Sequence, residues 1–415
     1  MQPIEDYLDV ICAQIRNRDL HTEIRAELRA HLEEIVAELS DEGATMEDAI
    51  TTALERVGDP VVIGKRMNRV YKPRLDFRLL GLSGLAVALG LFSLALVPGS
   101  PGQNSYLFMQ VLWVGLGFLG LVGAYHIHYR HLARLELPLY LITLGAVLIN
   151  FHTPGTRFFW LEGAKITFIL SLAGHLAKNK EELKWRSLLA YGVIPCLCVL
   201  IPSSSAALLF VFLLIGMVWR AGVPKKQLYG VVGGFFTLGL LYLLNAPDYQ
   251  LQRIAVFFNP GQDPLGAGYS VIQAKNAISA AGLWGRGLFA QNLSLPGQHA
   301  DFIFASLVHQ AGWVVGLAVL VVFAFLLMRV FWVISRARGL FPTLVAFGIG
   351  TMLLFNIAWN LGMQVGLLPT AGINLPFFSY GGSAMLMNFI AMGLLLNIAK
   401  EIQPVLYLDL AGNDS

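Results

Sequence analysis

Residues 360–398 read NLGMQVGLLPTAGINLPFFSYGGSAMLMNFIAMGLLLNI, a long apolar run with a polar break in its middle. Two prolines and a glycine interrupt the run between residues 369 and 376, and SYGGS at 379–383 then opens the next apolar segment. Polar, glycine-rich backbone at membrane depth is tolerated only where it is buried in protein or lines a cavity. The alternative is tight helix packing by small residues. We predict that three residues here contact a substrate: Ser379, Tyr380 and Ser383.

The composition extends this interpretation to most of the chain. The 415 residues are 56% hydrophobic and 13% charged, which is too apolar for an ordinary soluble protein. Apolar runs long enough to cross a bilayer recur. We predict an all-α polytopic membrane protein with about ten transmembrane helices, near residues 77–97, 106–126, 136–152, 162–177, 187–201, 204–219, 227–245, 305–329, 343–365 and 377–399. No cleavable signal peptide is visible, because the first 75 residues are polar.

Residues 1–75 form a different kind of segment. Apolar residues recur at helical spacing, and turn and capping residues divide the segment into four short helices. We predict a small soluble four-helix module at 1–75, a membrane domain at 76–400 and a tail at 401–415. The module carries no catalytic constellation, so docking to a cytoplasmic partner or regulation is its expected role. No nucleic-acid partner is expected.

The distribution of lysine and arginine predicts the orientation. These residues concentrate before the first span and after each even-numbered one, which places both termini in the cytoplasm and the long loop at 246–304 outside. Few ionisable groups remain for the outer side, histidines aside. The carboxylates are Glu162, Asp248, Asp263 and Asp301, and the bases are Arg157, Lys165, Arg253, Lys275 and Arg286. Charges near a bilayer are functional candidates by default.

Asp263 is the strongest of these candidates. It lies between Pro260 and Pro264 in a glycine-rich stretch, so proline restricts its backbone. A carboxylate on a stiff turn suits general-base chemistry. The alternative, which the local sequence alone favours, is a structural Asx turn.

The remaining charges are candidate phosphate ligands. Glu162 and Lys165 are three residues apart and share one helix face, so they either pair with each other or present Lys165 to a substrate phosphate or to Asp263. Arginine binds phosphate in a bidentate manner and lysine acts as a point charge. Arg253, Lys275 and Arg286 therefore bind a phosphate or pair with Asp248 or Asp301. The three cysteines show neither a disulfide framework nor metal-ligand spacing.

Several motifs together resemble one family. They are RIAVFFNP at 253–260, DPLGAGYSVIQAKNAI at 263–278, GLWGRG at 282–287, LPGQHADFIFA at 295–305, GLLPTAGINLPFFSYGGS at 366–383 and EGAK at 162–165. Over residues 77–400 the chain resembles the SEDS family of shape, elongation, division and sporulation proteins, the FtsW, RodA and SpoVE group. Residues 1–75 more loosely resemble the prefix domain of bacterial permeases.

The resemblance implies a reaction and partners. Members polymerise lipid II, a disaccharide-peptide on undecaprenyl pyrophosphate, in the bacterial plasma membrane, together with a class B penicillin-binding protein. The family's essential aspartate corresponds to Asp263, which would act as general base, and its fourth-span lysine corresponds to Lys165. Glu162, Arg253, Lys275 and Arg286 would bind substrate beside it. A divalent cation, magnesium or manganese, is compatible with the leaving pyrophosphate, although no ligand cluster indicates one. Membrane lipids are further expected partners.

Three departures from the family pattern keep alternatives open. Ser203 stands where the family has an aspartate, His309 and Gln310 replace an acidic pair, and Phe159-Trp160-Leu161 replaces a polar run. The chain is then either an active glycosyltransferase, a flippase for the lipid-linked precursor, or a weakly active relative that serves as a scaffold.

Overall fold

The computed structural model describes residues 2–15, 21–70, 75–97, 103–127, 129–152, 157–179, 183–200, 203–244, 255–266, 268–288, 295–400 and 402. Within them all regular structure is helical. The chain divides into two compact units, Met1–Leu75 with Lys400–Ser415, and Asp76–Ala399. Asp248 and Arg253 lie outside the described residues, as does nearly all of the tail at 401–415.

The first unit contains the four predicted helices. They are α1 (Gln2–Gln14), α2 (His21–Asp41), α3 (Met46–Val57) and α4 (Pro60–Val70). Each contributes an apolar stripe to one shared core that includes Leu8, Leu28 and Ala53. Local sequence explains the boundaries, because the hydroxyl of Thr45 accepts a hydrogen bond from the backbone N–H of Asp48 and so caps α3. The prediction of a four-helix module is confirmed.

The second unit contains a helix at each of the ten predicted spans. They are α5 (Phe77–Leu96), α6 (Gln103–His126), α8 (Glu136–His152), α9 (Arg157–Lys178), α10 (Trp185–Leu188) continued by a π-helical turn (Leu189–Val193) and α11 (Ile194–Leu200), α12 (Ser204–Arg220), α13 (Lys225–Leu244), α15 (Ile303–Arg336), α16 (Leu340–Gln364) and α17 (Gly382–Lys400). Two short helices lie between them, α7 (Tyr129–Arg134) and α14 (Tyr269–Ala280). The polytopic all-α prediction is confirmed.

Among the residues that the structure describes, five helices are long and apolar enough to cross a bilayer by length and composition. They are α5, α15, α16 and α17, together with Tyr106–His126 of α6. Glu136–Asn150, Trp185–Leu200 and Ser204–Arg220 are shorter apolar helices. The chain thus has the helix content of a multi-pass membrane protein, with α15 extending 34 residues and changing direction at Gly312.

Small residues let the helices approach closely. A Cβ added at Gly393 of α17 would lie 2.4 Å from the carbonyl oxygen of Leu121 in α6, and one at Gly117 would lie 2.4 Å from the ring of Phe389. Such contacts replace the hydrophobic driving force that lipid does not supply between helices. An ion pair supplements them where Arg329 of α15 binds Asp76, the N-cap of α5, at 2.7 Å.

The last helix begins later than predicted. The sequence predicts a span from about 377, but α17 starts at Gly382. Phe377 has a left-handed backbone with φ of 64°, and the backbone N–H of Tyr380 bonds to the carbonyl of His299 rather than within a helix. Residues 379–381 therefore belong to the loop before α17, because contacts with another loop replace the helical hydrogen bonds.

Candidate functional site

Asp263 lies on a short, closed turn. Residues Pro260–Gln262 form one turn of 3₁₀ helix, and Asp263 follows in an extended conformation, with φ of −138°. Its Oδ1 accepts a hydrogen bond from the N–H of Gly266 at 3.0 Å, and its backbone carbonyl accepts one from Gly268 at 3.0 Å. The side chain is exposed. The geometry of an Asx-type turn is thus present, and it fixes a carboxylate at the surface.

Two glycines make this turn possible. A Cβ at Gly266 would lie 2.2 Å from Oδ2 of Asp263, and a Cβ at Gly268 would lie 2.4 Å from the carbonyl oxygen of Pro260. Both distances are shorter than any real contact of a Cβ atom, so only glycine fits without displacing the carboxylate or the backbone. The two glycines of DPLGAG are required because the turn brings their backbone close to Asp263 and Pro260.

Helix α14 follows the turn and packs on α15. Ala274 and Ile278 form a small core with Leu295, Phe302 and Ala305, and Trp313 packs against it. Lys275 is exposed, and its side chain crosses the backbone of Gly366, where an added Cβ would lie 2.2 Å from Cε. This places the ammonium group beside the connection between α16 and α17.

Glu162 and Lys165 form an ion pair in the first half of α9. The carboxylate Oε1 and the ammonium Nζ are 2.5 Å apart, and Lys165 is 8% exposed. Gly163, between them in sequence, faces the side chain of Met387 in the first turns of α17. The pair therefore lies at the end of the helix bundle where α17 begins. Its contacts are those of the alternative in which Glu162 and Lys165 pair with each other.

Arg286 is engaged locally. Its Nε donates to the carbonyl of Ala280 at 2.5 Å, at the C-terminal end of α14. This contact differs from both expected ones, a phosphate and Asp301. A guanidinium has five N–H donors, so the remaining ones can still serve a ligand.

Ser379 links two loops through hydrogen bonds. Its Oγ donates to the carbonyl of Ala300 at 2.8 Å and accepts from the N–H of Leu375 at 3.0 Å. The amide of Gln110 in α6 donates to the Ser379 carbonyl at 3.2 Å and accepts from the N–H of Gly381 at 3.3 Å. Ser379 is 3% exposed. These bonds use its hydroxyl for structure, and its contact with a substrate stays a prediction.

The residues that follow Ser379 differ in their contacts. Gly382 packs on the indole of Trp113, where a Cβ would lie 2.2 Å from Cε2, so the glycine serves close packing. Ser383 is half-buried in the first turn of α17, and Tyr380 is half-buried just before it. Tyr380 and Ser383 thus remain compatible with contact to a ligand.

Three aromatic rings meet at this end of the bundle. The rings of Tyr106 and His299 are stacked with centroids 4.8 Å apart, and Tyr380 meets Tyr106 edge-on at 5.0 Å. Burial lowers the pKa of His299 below its usual value, which favours a neutral ring. Tyr106, Gln110 and His299 were not among the predicted site residues. No local pattern could have found them, because about 190 to 270 residues separate the partners in sequence.

A second buried network supports the loop before α15. The amide of Asn360 donates to the carbonyls of Asp301 and Ile373 at 3.0 and 2.7 Å, and Oε1 of Gln364 accepts from the N–H of Ala305 at 2.7 Å. Burial raises the pKa of the Asp301 carboxyl to about 6. The charged form of Asp301 is therefore disfavoured where the loop is packed.

Two of the three departures from the family pattern, at Ser203 and at His309–Gln310, take part in hydrogen bonds. Ser203 caps α12 by accepting the N–H of Ala206 at 3.3 Å, a role that an aspartate also fills. His309 contacts the carbonyl of Ala277 at 3.2 Å, and Gln310 donates to Ser306 at 3.2 Å while it is 1% exposed. A neutral amide avoids the cost of burying a charge at this position.

The described residues contain no group of three or more histidine, cysteine, aspartate or glutamate side chains that could hold a metal ion. We therefore derive no chemical step through the divalent cation that the sequence left open.

Comparison with known proteins gives consistent results. Residues 77–403 match the family model of FtsW, RodA and SpoVE, described as cell cycle proteins. The chain is similar to the "Probable peptidoglycan glycosyltransferase FtsW" of Thiomicrospira cyclica, with 34% identity over 336 residues, 78% of this chain and 80% of that protein.

Solved structures extend the similarity to the fold. One is a chain from "Structural coordination of polymerization and crosslinking by a peptidoglycan synthase complex", with a TM-score of 0.65, 28% identity and coverage of 78% of this chain and 97% of that one. Another is the rod shape determining protein RodA of Thermus thermophilus, with a TM-score of 0.58, 25% identity and coverage of 79% and 97%. The chain is a multi-pass membrane protein that belongs to the FtsW/RodA/SpoVE family, also called SEDS.

Proposed function

We propose that this chain is a peptidoglycan glycosyltransferase that joins lipid II units into glycan strands. The observation that carries the proposal is the 34% identity to a relative of that name, which extends over 78% of this chain. The same region contains the turn that presents Asp263, so the similarity covers the candidate base as well as the fold. The process served is cell division or elongation.

Asp263 acts as the general base. A sugar hydroxyl of one substrate attacks the anomeric carbon of another, the new C–O bond forms, and the bond from that carbon to the pyrophosphate oxygen breaks. The hydroxyl proton goes to the Asp263 carboxylate, and the electron pair of the broken bond leaves with the pyrophosphate. A positioned base of this kind contributes about 10²–10⁴-fold to rate.

Cationic side chains neutralise the leaving pyrophosphate. Lys275 is exposed on α14, and its ammonium group lies beside Gly366 at the start of the α16–α17 connection, where a ligand can reach it. Lys165 is buried and paired with Glu162, so its field acts together with that of a carboxylate 2.5 Å away. Arg286 can contribute the donors that Ala280 does not use, and Arg253 adds a further positive charge in the same loop. Fixed charges near developing negative charge stabilise a transition state.

Tyr380 and Ser383 contact the sugar. Tyr380 belongs to the aromatic cluster with Tyr106 and His299, and Ser383 brings a hydroxyl three residues later in the sequence. An aromatic ring offers an apolar face with a polar tip, a combination suited to a sugar ring. Ser379 supports this surface through its backbone and hydroxyl contacts.

The proposed setting follows the charge pattern. Both termini lie in the cytoplasm of a bacterial cell, the 246–304 loop faces outward, and a class B penicillin-binding protein cross-links the product. The description of one structural relative as part of a peptidoglycan synthase complex supports a partner of this kind. The module at 1–75 lies outside the family match and binds a cytoplasmic partner.

A polymerisation assay tests the function. The full chain, copurified with its cross-linking partner and supplied with labelled lipid II, should produce glycan ladders that are resolved by gel electrophoresis. A chain with Asp41→Asn, an exposed residue of the N-terminal module, serves as a matched control and should give the same ladders. Lipid II that crosses liposome membranes without any ladder would instead show a flippase. If the chain produced no ladders and transported no lipid II, the scaffold role would remain and the proposal would be rejected.

A further inference from the structure

A turn formed by residues 282–287 is fixed to the bend of α15. The N–H groups of Arg286 and Gly287 donate to the carbonyls of His309 and Gln310, and the N–H groups of Trp313 and Val314 donate to those of Gly282 and Leu283, all at 2.9–3.3 Å. These four backbone bonds link two segments about thirty residues apart. We define the turn Gly282–Gly287 as the α15 turn.

Glycines bring the two segments into contact. A Cβ at Gly285 would lie 2.1 Å from the carbonyl oxygen of Gln310, and one at Gly312 would lie 2.2 Å from that of Leu283. Both residues also have positive φ, of 81° and 86°. The α15 turn is therefore held by its backbone, and its side chains at 283 and 284 are not needed to hold it.

These two side chains are large, apolar and exposed. Leu283 is 66% exposed and Trp284 is 80% exposed. Isolated apolar residues on a surface are ordinary, but a rigid turn that presents two together marks a contact with another apolar phase.

The α15 turn continues an exposed apolar stripe on α15. The stripe consists of Val314, Leu317, Val321, Phe325, Met328 and Phe331. Val314, its first member, donates its N–H to Leu283, so the turn caps the stripe directly. The 17 residue steps from Val314 to Phe331 correspond to about 26 Å of helix, close to the roughly 30 Å hydrocarbon core of a bilayer.

The opposite end of the stripe has the residues of a membrane boundary. Trp332 follows Phe331, and the guanidinium groups of Arg329 and Arg336 lie 3.7 and 5.3 Å from its ring. Tryptophan concentrates at both interfaces of a bilayer, where arginine also anchors helices. Trp332 and Trp284 thus lie at opposite ends of one exposed apolar stripe.

We propose that Leu283 and Trp284 insert into the membrane interface at the end of the bundle where α17 begins. Lipid is the occupant because the turn continues an exposed apolar stripe on a helix long and apolar enough to cross a bilayer, and because it lies at the distance from Trp332 that a bilayer requires. Arg286 of the α15 turn binds the carbonyl of Ala280 at the C-terminal end of α14, and α14 follows the Asp263 turn. Insertion of Leu283 and Trp284 therefore fixes the height of the Asp263 turn above the lipid. This inference is independent of the reaction proposed above.

Spin-label depth measurements test the insertion. The full chain with Cys12→Ser, Cys196→Ala and Cys198→Ser receives a single nitroxide at Trp284→Cys, in nanodiscs of phosphatidylethanolamine and phosphatidylglycerol. Labels at Phe325→Cys and Leu265→Cys serve as a mid-membrane and an aqueous reference, since both positions are exposed. The label at 284 should be more accessible to oxygen, relative to a water-soluble nickel complex, than the label at 265, and less so than that at 325.

Two results would overturn the insertion. One is a label at 284 with the accessibility of the label at 265. The other is a label at 284 that is shielded from both reagents by a copurified protein. An independent measurement avoids the cysteine substitutions: brominated lipids should quench the fluorescence of the unmodified chain more strongly than that of Trp284→Phe, and equal fractional quenching would contradict the proposal.

Discussion

The two loop segments at the candidate site are held in different ways. The Asp263 turn is exposed at residues 261–266 and is closed by hydrogen bonds that span three to five residues. Segment 375–381 is largely buried and segment 295–302 is mostly half-buried, and bonds that span up to about 270 residues join these segments to each other and to α6. The proposed base is therefore placed by local sequence, while the surface around it is placed by the tertiary fold.

This difference means that the position of the Asp263 carboxylate and the stability of the helix bundle depend on different contacts. A change in the turn should alter the direction of one carboxylate and leave the helix bundle intact. A change in the buried network should loosen the bundle end and lower the stability of the whole unit, because unsatisfied buried polar groups cost free energy. The following substitutions are arranged to test that separation.

Apart from loss of the Asp263 carboxylate itself, Gly266→Ala should have the largest effect on the polymerisation rate. The new Cβ would lie 2.2 Å from the Asp263 carboxylate, so the carboxylate must move. A displacement of about 1 Å can cost about 100-fold in rate. We expect glycan polymerisation to fall by about 100-fold while the thermal midpoint of the purified protein stays within a few degrees of the original.

Gly261→Ala is the matched control for this substitution. A Cβ there would lie 3.4 Å from the side chain of Asn259, an ordinary contact, in the same turn. Its polymerisation rate should stay close to the original. Equal losses at 261 and 266 would show that the turn tolerates no side chain at all, and would remove the argument from carboxylate position.

Asp301→Asn should change stability in a pH-dependent manner. Burial raises the pKa of Asp301 to about 6 in the folded protein, above its value near 3.8 in the unfolded chain. The folded state therefore binds the Asp301 proton more tightly than the unfolded chain does. The stability that this proton contributes is lost as the pH rises from about 4 through about 6. The loss amounts to at most about 3 kcal/mol.

The asparagine variant does not ionise and should escape this loss. Its thermal midpoint should exceed that of the original protein above pH 6 and approach it near pH 4, in melting curves recorded across that range. A difference between the two proteins that is constant with pH would show that ionisation of Asp301 is not its origin.

Ser379→Ala should lower stability by a smaller amount. The substitution removes the bond to Ala300 and leaves the buried N–H of Leu375 without its partner. The expected loss is about 1–3 kcal/mol in free energy of unfolding. Ser279→Ala, at an exposed position of α14, should change the denaturation midpoint little. Equal effects at the two positions would contradict the distinction between buried network and exposed helix.

The same distinction explains what the sequence could predict. Ten spans, four module helices and the Asp263 turn depend on hydrophobic runs, capping residues and prolines, which are local signals. Ser379 was assigned to the start of a helix, but its hydroxyl binds Ala300 and Leu375 in a loop. Gln110, Tyr106 and His299 escaped prediction because their roles arise only when α6 meets loops far away in sequence.

The most direct test of the central claim is the rate of Asp263→Asn in the lipid II polymerisation assay. Asparagine keeps an Oδ1 that can accept the N–H of Gly266, so the turn survives while the carboxylate is lost. With Asp263 as general base, polymerisation should fall by about 10²–10⁴-fold without a change in thermal midpoint. Glycan ladders that form at the original rate with Asp263→Asn would contradict the account.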